Sequence, residues 1–275
     1  MRTTALITGA SSGIGAEFAE QLAARGHDLV LLARSADRLA ELARRLGEAH
    51  GVSAHVLVQD LAEPDAARRV GAELAERGLE VDLLVNNAGF GTCGRFEEND
   101  PRRDHEQLMV NVVALVGLTH ELLPGMLARG RGSVVNVAST AAFQPTPYFA
   151  VYGASKTFVL DFGLALHQEY RRRGIKVLTL CPGPVETGFF EVIGTRKAAV
   201  TGAFTLPATV VRAALRALDR DRAYVTPGLS NLVGAHLTPR RPRTLVAAVA
   251  ERMSRGARDA EKTAPPAPRV AERAA

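Results

Sequence analysis

Thr8-Gly9-Ala10-Ser11-Ser12-Gly13-Ile14-Gly15 is the stretch on which the reading of this chain turns. It joins an apolar run at residues 3–8 to a segment in which Ile14, Phe18 and Leu22 recur every four positions before Gly26. The first has the make-up of a buried strand and the second the period of an amphipathic helix. Glycines between them let the backbone turn tightly and approach a pyrophosphate closely. The opening turn of the helix then offers unpaired N–H groups and a positive dipole end to that anion. Gly9, Ser11, Ser12, Gly13, Ile14 and Gly15 are therefore candidate phosphate contacts. The spacing is GxxxGxG, not the GxGxxG of many dinucleotide folds. The same letters satisfy Gly-x-Ser-x-Gly, which would make Ser11 the nucleophile of a serine hydrolase. Such an elbow needs earlier strands and an oxyanion loop before it, and only eight residues precede Gly9.

Outward from this turn, strand-type runs at residues 28–33, 53–58, 82–85, 133–138, 176–180 and 223–225 alternate with helix-type stretches. Several are apolar throughout, as strands covered on both faces of a parallel sheet must be. Ser35 ahead of Leu39, Leu42 and Leu46 reads as a helix cap followed by an apolar stripe ending near Gly51. The rhythm predicts an α/β fold: a doubly wound parallel sheet of Rossmann type, about seven strands in a three-layer α/β/α sandwich. Residues 1–226 are expected to form the catalytic domain, 227–255 a C-terminal helical extension broken by Pro239 and Pro242, and 256–275 a disordered tail.

Composition is that of a globular protein, 47% hydrophobic and 23% charged over 275 residues. Of the net charge of +5, all lies in residues 240–275, where nine basic side chains face four acidic ones. The remainder is neutral, which argues against a nucleic-acid partner. Two cysteines, Cys93 and Cys181, exclude a disulfide framework and a structural zinc site by count. His120-Glu121 lacks the second histidine of HExxH, and no metal is expected. The longest strongly apolar run, 112–118, is far short of the roughly 18 residues of a membrane span. The start of the chain has too short an apolar core for a signal peptide, so a cytoplasmic location is expected.

The second strand ends Leu31-Leu32-Ala33-Arg34, with no carboxylate to bond the adenosine ribose hydroxyls. Arg34 can instead fork onto a 2′-phosphate, so NADP(H) is expected over NAD(H). Tyr152 and Lys156 stand four apart on a helix-type run and so share a face. An isolated tyrosine, with a pKa of about 10, is only about 0.1% ionised at pH 7. A nearby ammonium is expected to lower that pKa and make the phenol a usable acid/base. Ser139, at the end of the fifth strand, can donate to a substrate carbonyl. Tyr148, whose own +4 residue is another tyrosine, reads as a pocket or packing residue.

Taken together, these motifs resemble the short-chain dehydrogenase/reductase family in its compact single-domain form, over about residues 3–226. Thr8–Gly15 is similar to its coenzyme turn, and Asp60-Leu61 to its adenine-contacting site. Asn86-Asn87-Ala88-Gly89 resembles the segment that supports the sheet and lines the cofactor pocket. The resemblance implies that Asn87, Ala88 and Gly89 contact cofactor and that Asn111 holds a water of a proton relay. It also implies that Ser139, Tyr152 and Lys156 are catalytic, with Tyr152 and Lys156 touching the cofactor as well. Cys181–Thr187 is similar to the family's loop that closes over the nicotinamide, which implies that Pro182, Gly183, Val185 and Thr187 contact the cofactor, Thr187 reaching its carboxamide. The implied activity is a carbonyl–secondary alcohol interconversion by hydride transfer, in a homo-dimer or homo-tetramer. A catalytically silent NADP(H)-binding sensor or scaffold is the alternative, and it would predict loss of a catalytic residue.

Residues 189–206 are expected to be a mobile lid whose Phe189, Phe190, Val192, Ile193 and Phe204 contact substrate. Phe143, Tyr148 and Phe149 are expected beside the catalytic helix. Together they point to a small apolar carbonyl or alcohol substrate. In the C-terminal region Leu229, Leu232, Val233, Leu245, Val246 and Val249 form two short apolar stripes. They are expected to pack on the body or on a neighbouring subunit, with an anionic membrane surface as the rival.

Overall fold

The computed structural model describes residues 2–189 and 204–261, with side chains as far as residue 255. Seven parallel strands form one sheet in the order β3-β2-β1-β4-β5-β6-β7. They are β1 (Thr4–Thr8), β2 (Asp28–Ala33), β3 (Ala54–Val58), β4 (Leu83–Asn86), β5 (Gly132–Val137), β6 (Ile175–Leu180) and β7 (Tyr224–Val225). Every expected strand is present to within a residue at each end, and the expected doubly wound sandwich is the fold.

Alternate side chains of each central strand feed two cores. Ala5, Ile7, Leu29 and Leu31 point to the layer holding α1 (Gly13–Ala24), α2 (Ala36–His50) and α7 (Pro207–Asp219). Leu6, Val30, Leu32 and Leu84 point to the layer holding α3 (Ala66–Glu76) and α5 (Leu115–Ala128). Two buried faces leave no polar face to alternate with, which is why these strands read as unbroken apolar runs. The strand order reverses between β1 and β4, opening a crevice at the carboxyl ends of the strands.

Helix α4 (Pro101–Leu108) runs through a π-helical turn, Met109–Ala114, into α5. By length and composition the continuous helix Pro101–Ala128 is long and apolar enough to cross a membrane, with a mean hydropathy of 1.5 over its best window. Its longest strongly apolar run is still 112–118, and the helix reaches that length only with interruptions such as Asn111 and Thr119 included. In the fold Leu115, Leu118, Leu123 and Met126 are buried in the sandwich.

Helix α6 (Ala150–Tyr170) packs against β6. After β7 come α8 (Leu229–Leu237) and α9 (Arg243–Glu261). Helix α9 passes residue 255, where the extension was expected to end; residues 262–275, the rest of the expected tail, lie outside the described residues. The extension docks through small residues, Ala235, Ala250 and Ser254. Most of its large apolar side chains do not pack on the body: Leu229, Leu232, Val233, Leu245 and Val249 stay exposed, from 39% to 77%, and Val246 alone of the two expected stripes is half-buried.

Candidate active site

Thr8 leads from β1 into the glycine turn. Its hydroxyl donates to Val85 O at 3.3 Å and accepts from the N–H groups of Asn87 and Ala88, both at 2.9 Å. The Asn87 amide donates to Thr8 O at 2.8 Å. Asn87 and Ala88 thus brace the turn from β4. Gly9 and Gly13 stand at φ 65° and 56°, where a side chain is strained. A Cβ on Gly15 would strike Gly9 O and come within 2.6 Å of the Asn87 amide. The cap residue of α1, Ser12, makes no side-chain cap bond, and no acidic residue occupies the first turn. The uncapped start of α1 and the close-approach glycines fit a dinucleotide phosphate. Gly15→Ala is expected to cost about 1–3 kcal/mol by overpacking and to weaken dinucleotide binding at the same time. Thermal melts with a fluorescence titration of NADPH check it; unchanged values in both would show that the turn tolerates a side chain.

At the ends of β2 and β3, Arg34 Nη1 lies 3.8 Å from Asp60 Oδ2, with Arg34 70% exposed. Asp60 Oδ1 accepts from Ala62 N at 2.9 Å, shaping the turn around the buried Leu61. Both polar side chains stand at the strand ends beside the glycine turn.

Ser139, Tyr152 and Lys156 meet where β5 and α6 converge. Ser139 Oγ accepts from Ala141 N at 3.1 Å, and Ser139 also hydrogen-bonds Tyr152. Lys156 is buried, and its ammonium donates to Val137 O at 2.9 Å and lies 5.8 Å from the centre of the Tyr152 ring. Burial pushes the Tyr152 phenol up to about 12, against a smaller lowering by Ser139. Lys156 was expected to depress it, and here it does not. Desolvation of the phenolate dominates, and the ammonium is committed to a main-chain carbonyl. Burial also lowers Lys156 to about 8, partly countered by the neighbouring Cys181, whose own thiol burial raises to about 12.

Asn111 sits in the π-helical turn, a distortion frequent at functional sites. Its amide donates to Phe90 O at 3.0 Å and Ser155 Oγ at 3.1 Å, and its oxygen accepts from Phe90 N at 3.1 Å. Ser155 Oγ in turn donates to Tyr152 O at 2.7 Å. Asn111 therefore ties the loop after Gly89 to the catalytic helix, and a Cβ on Gly89 would come within 2.8 Å of Asn111 Oδ1 and 3.3 Å of Lys156 Nζ. Ser155 was missed in the sequence, although it stands between Tyr152 and Lys156.

Pro182 O accepts from Thr140 N at 2.9 Å, joining the loop after β6 to the one after β5. Val185 pairs with Thr205 in an isolated bridge, which pins the two ends of the expected lid together. The Thr187 methyl carbon lies 3.0 Å from where a Cβ on Gly13 would be, so this loop reaches the phosphate turn. Asn231 of α8 crowds Gly183 from the other side, a contact no motif announced. Phe189 packs on Tyr152, ring centres 5.5 Å apart, and Cys93, Tyr148 and Phe149 complete that cluster. Phe143 also lies beside the catalytic helix, as expected, but further along it, packed with Tyr224 and the core around Val159 and Cys181. Phe190, Val192 and Ile193 lie outside the described residues. Among the described residues no cluster could hold a metal ion.

Fold and site define a dinucleotide-binding α/β oxidoreductase with a tyrosine–lysine pair at the strand ends. The chain belongs to the short-chain dehydrogenase family, which it matches over residues 3–198. It is 36% identical over 193 residues to a very-long-chain 3-oxoacyl-CoA reductase of Anas platyrhynchos, covering 68% of this chain and 61% of that protein. A short-chain dehydrogenase from Sphingobium yanoikuyae, solved with NADPH, superposes with a TM-score of 0.77 at 35% identity, over 86% of this chain and 94% of that one. A bulky-bulky ketone specific alcohol dehydrogenase from Comamonas testosteroni gives 0.74 at 34% identity, over 86% and 92%. The chain spans about 61% of the length of the Anas reductase, and the family match leaves the Ser11 hydrolase reading without support.

Proposed function

We propose that this protein is an NADP(H)-dependent reductase of bulky apolar ketones, run in reverse as an alcohol dehydrogenase, with Tyr152 as the acid/base. The observation that carries the reading is the convergence of Ser139, Tyr152 and Lys156 beside the glycine turn. A nicotinamide dinucleotide bound along that turn supplies or accepts the hydride. The Ser139 hydroxyl donates to the substrate oxygen and holds the carbonyl against Tyr152. The phenol, kept protonated at neutral pH by burial, passes its proton to that oxygen as the carbonyl is reduced. Lys156 supplies a buried cation beneath the site, and Asn111 holds the helix that carries both. Aromatic side chains around Tyr152, and the bulky ketones that the Comamonas relative is specific for, support an apolar substrate. Reduction of aryl ketones with NADPH, followed at 340 nm, is the test; a wild-type protein silent across such a panel overturns the reading in favour of a cofactor-binding scaffold.

For the cofactor, Arg34 is the discriminating group, and the NADPH held by the Sphingobium relative supports the same choice. Arg34→Asp is expected to cost about 1.5–3 kcal/mol in NADPH affinity through the lost charge-assisted phosphate contact, leaving NADH affinity little changed or improved. Dissociation constants for both cofactors decide it; wild type binding NADH as tightly as NADPH would show that Arg34 reads no phosphate.

We also propose a cytoplasmic location and a homo-oligomer, the oligomer supported by large apolar side chains left exposed on helices, among them Val113, Phe158 and Leu229. Light scattering after gel filtration tests it, and a monomer at micromolar concentration counts against it.

A further inference from the structure

Tyr148 is one of three non-glycine residues at positive φ among those described, at 66°. For an aromatic side chain that conformation persists only where its surroundings hold it. Two contacts do so. Its carbonyl accepts from Gly94 N at 2.9 Å, and its hydroxyl donates to Glu251 Oε1 at 2.6 Å, across 103 residues of chain. Arg255 clamps Glu251 in turn, Nε donating to both carboxylate oxygens at 2.8 and 3.0 Å, and it bonds the Tyr148 hydroxyl as well. Helix α9 sits close enough for this because Ala250 and Ser254, on its inner face, are small and buried. The ring of Tyr148 meanwhile joins Cys93, Phe149 and Phe189 around Tyr152.

We propose that Glu251 is a specificity-setting positioning residue: braced by Arg255, it fixes Tyr148 as a wall of the substrate side beside Tyr152, so the C-terminal extension completes the pocket for a bulky apolar carbonyl. The proposal rests on the ketone-reductase reading and adds a role for α9 that the glycine turn and the tyrosine–lysine pair do not contain. A charge-assisted bond to a carboxylate is short and directional, suited to setting a ring's position. The ring, not the carboxylate, meets the substrate. Loss of Glu251 therefore frees the wall without touching the proton donor.

The experiment compares wild type with Glu251→Ala, Glu251→Gln, Tyr148→Phe and the Glu251→Ala/Tyr148→Phe pair on a diaryl ketone and on a small aliphatic aldehyde. Glu251→Ala and Tyr148→Phe are each expected to raise KM for the diaryl ketone about tenfold, with kcat and NADPH affinity nearly unchanged, the pattern of lost substrate positioning. For Glu251→Ala the aldehyde, which does not reach the wall, should show little change. Gln keeps an acceptor oxygen and should restore most of the loss, and the pair should be no worse than either single variant. Equal losses on both substrates, additive losses in the pair, or a fall in Tm that accounts for lower kcat would overturn the proposal and leave Glu251 a fold contact. Wild type silent on every carbonyl sinks the reductase reading itself and this proposal with it.

Discussion

Tyr152→Phe is expected to lower ketone reduction by about 10²–10⁴-fold, the range a single positioned acid/base contributes, with NADPH affinity and Tm close to wild type. Phenylalanine keeps the ring that packs on Phe189 and removes only the hydroxyl bonded to Ser139. The pH dependence follows from the direction of each shift. With its phenol raised to about 12, Tyr152 stays protonated across the neutral range, so reduction should show no tyrosine limb there. Lys156, lowered to about 8, loses its cation as pH rises through that value, and reduction should fall with it. Stopped-flow rates from pH 6 to 10 with wild type and variant check both claims. A variant retaining more than a tenth of the wild-type rate would mean that another group delivers the proton.

Lys156→Met is expected to abolish turnover and to stabilise the protein at pH 7. Burial holds Lys156 at about 8 in place of its ordinary 10.5, so keeping the cation inside costs up to about 3 kcal/mol at neutral pH. Methionine fills similar space without the charge. Val137 O loses its donor, which takes back about 1 kcal/mol. A net gain of about 2 kcal/mol remains. Between pH 8 and 10.5 the unfolded chain binds more protons at this site than the folded one. Wild-type stability therefore climbs over that window, and the advantage of the variant disappears above it. Urea melts at pH 7 and at pH 10.5 measure the difference. A variant equally destabilised at both would show that the lysine stem and its bond to Val137 outweigh the charge. A gain in stability with loss of function would mark Lys156 as kept for chemistry.

Local groups were the legible ones. The glycine turn announces itself because tight turns and close approach require glycine, whatever lies around them. The strands are legible because burial on two faces imposes an apolar run. Tyr152 and Lys156 share one helix, so their spacing alone brings them to one face. Ser155 could have been found by the same argument, since its hydroxyl bonds back to Tyr152 O three residues earlier.

Other features depend on partners distant in the chain. Asn111 is expected from its motif, but its bonds to Phe90 and Ser155 depend on how the π-helical turn lands beside α6. The failure of Lys156 to lower Tyr152 has the same origin. Spacing gives proximity, whereas the dielectric around the phenol and the carbonyl of Val137 are set by the packed core.

By itself, then, the amino-acid sequence determined the strand order in time, the phosphate turn and the helix carrying tyrosine and lysine, because each is encoded within a few residues by steric and hydrophobic constraints. Only the tertiary structure decided that Phe143 packs with Tyr224, that Asn231 abuts Gly183, and that Glu251 reaches Tyr148. Those contacts join residues scattered along the chain, and no local periodicity constrains which side chain a docking helix brings to a given loop.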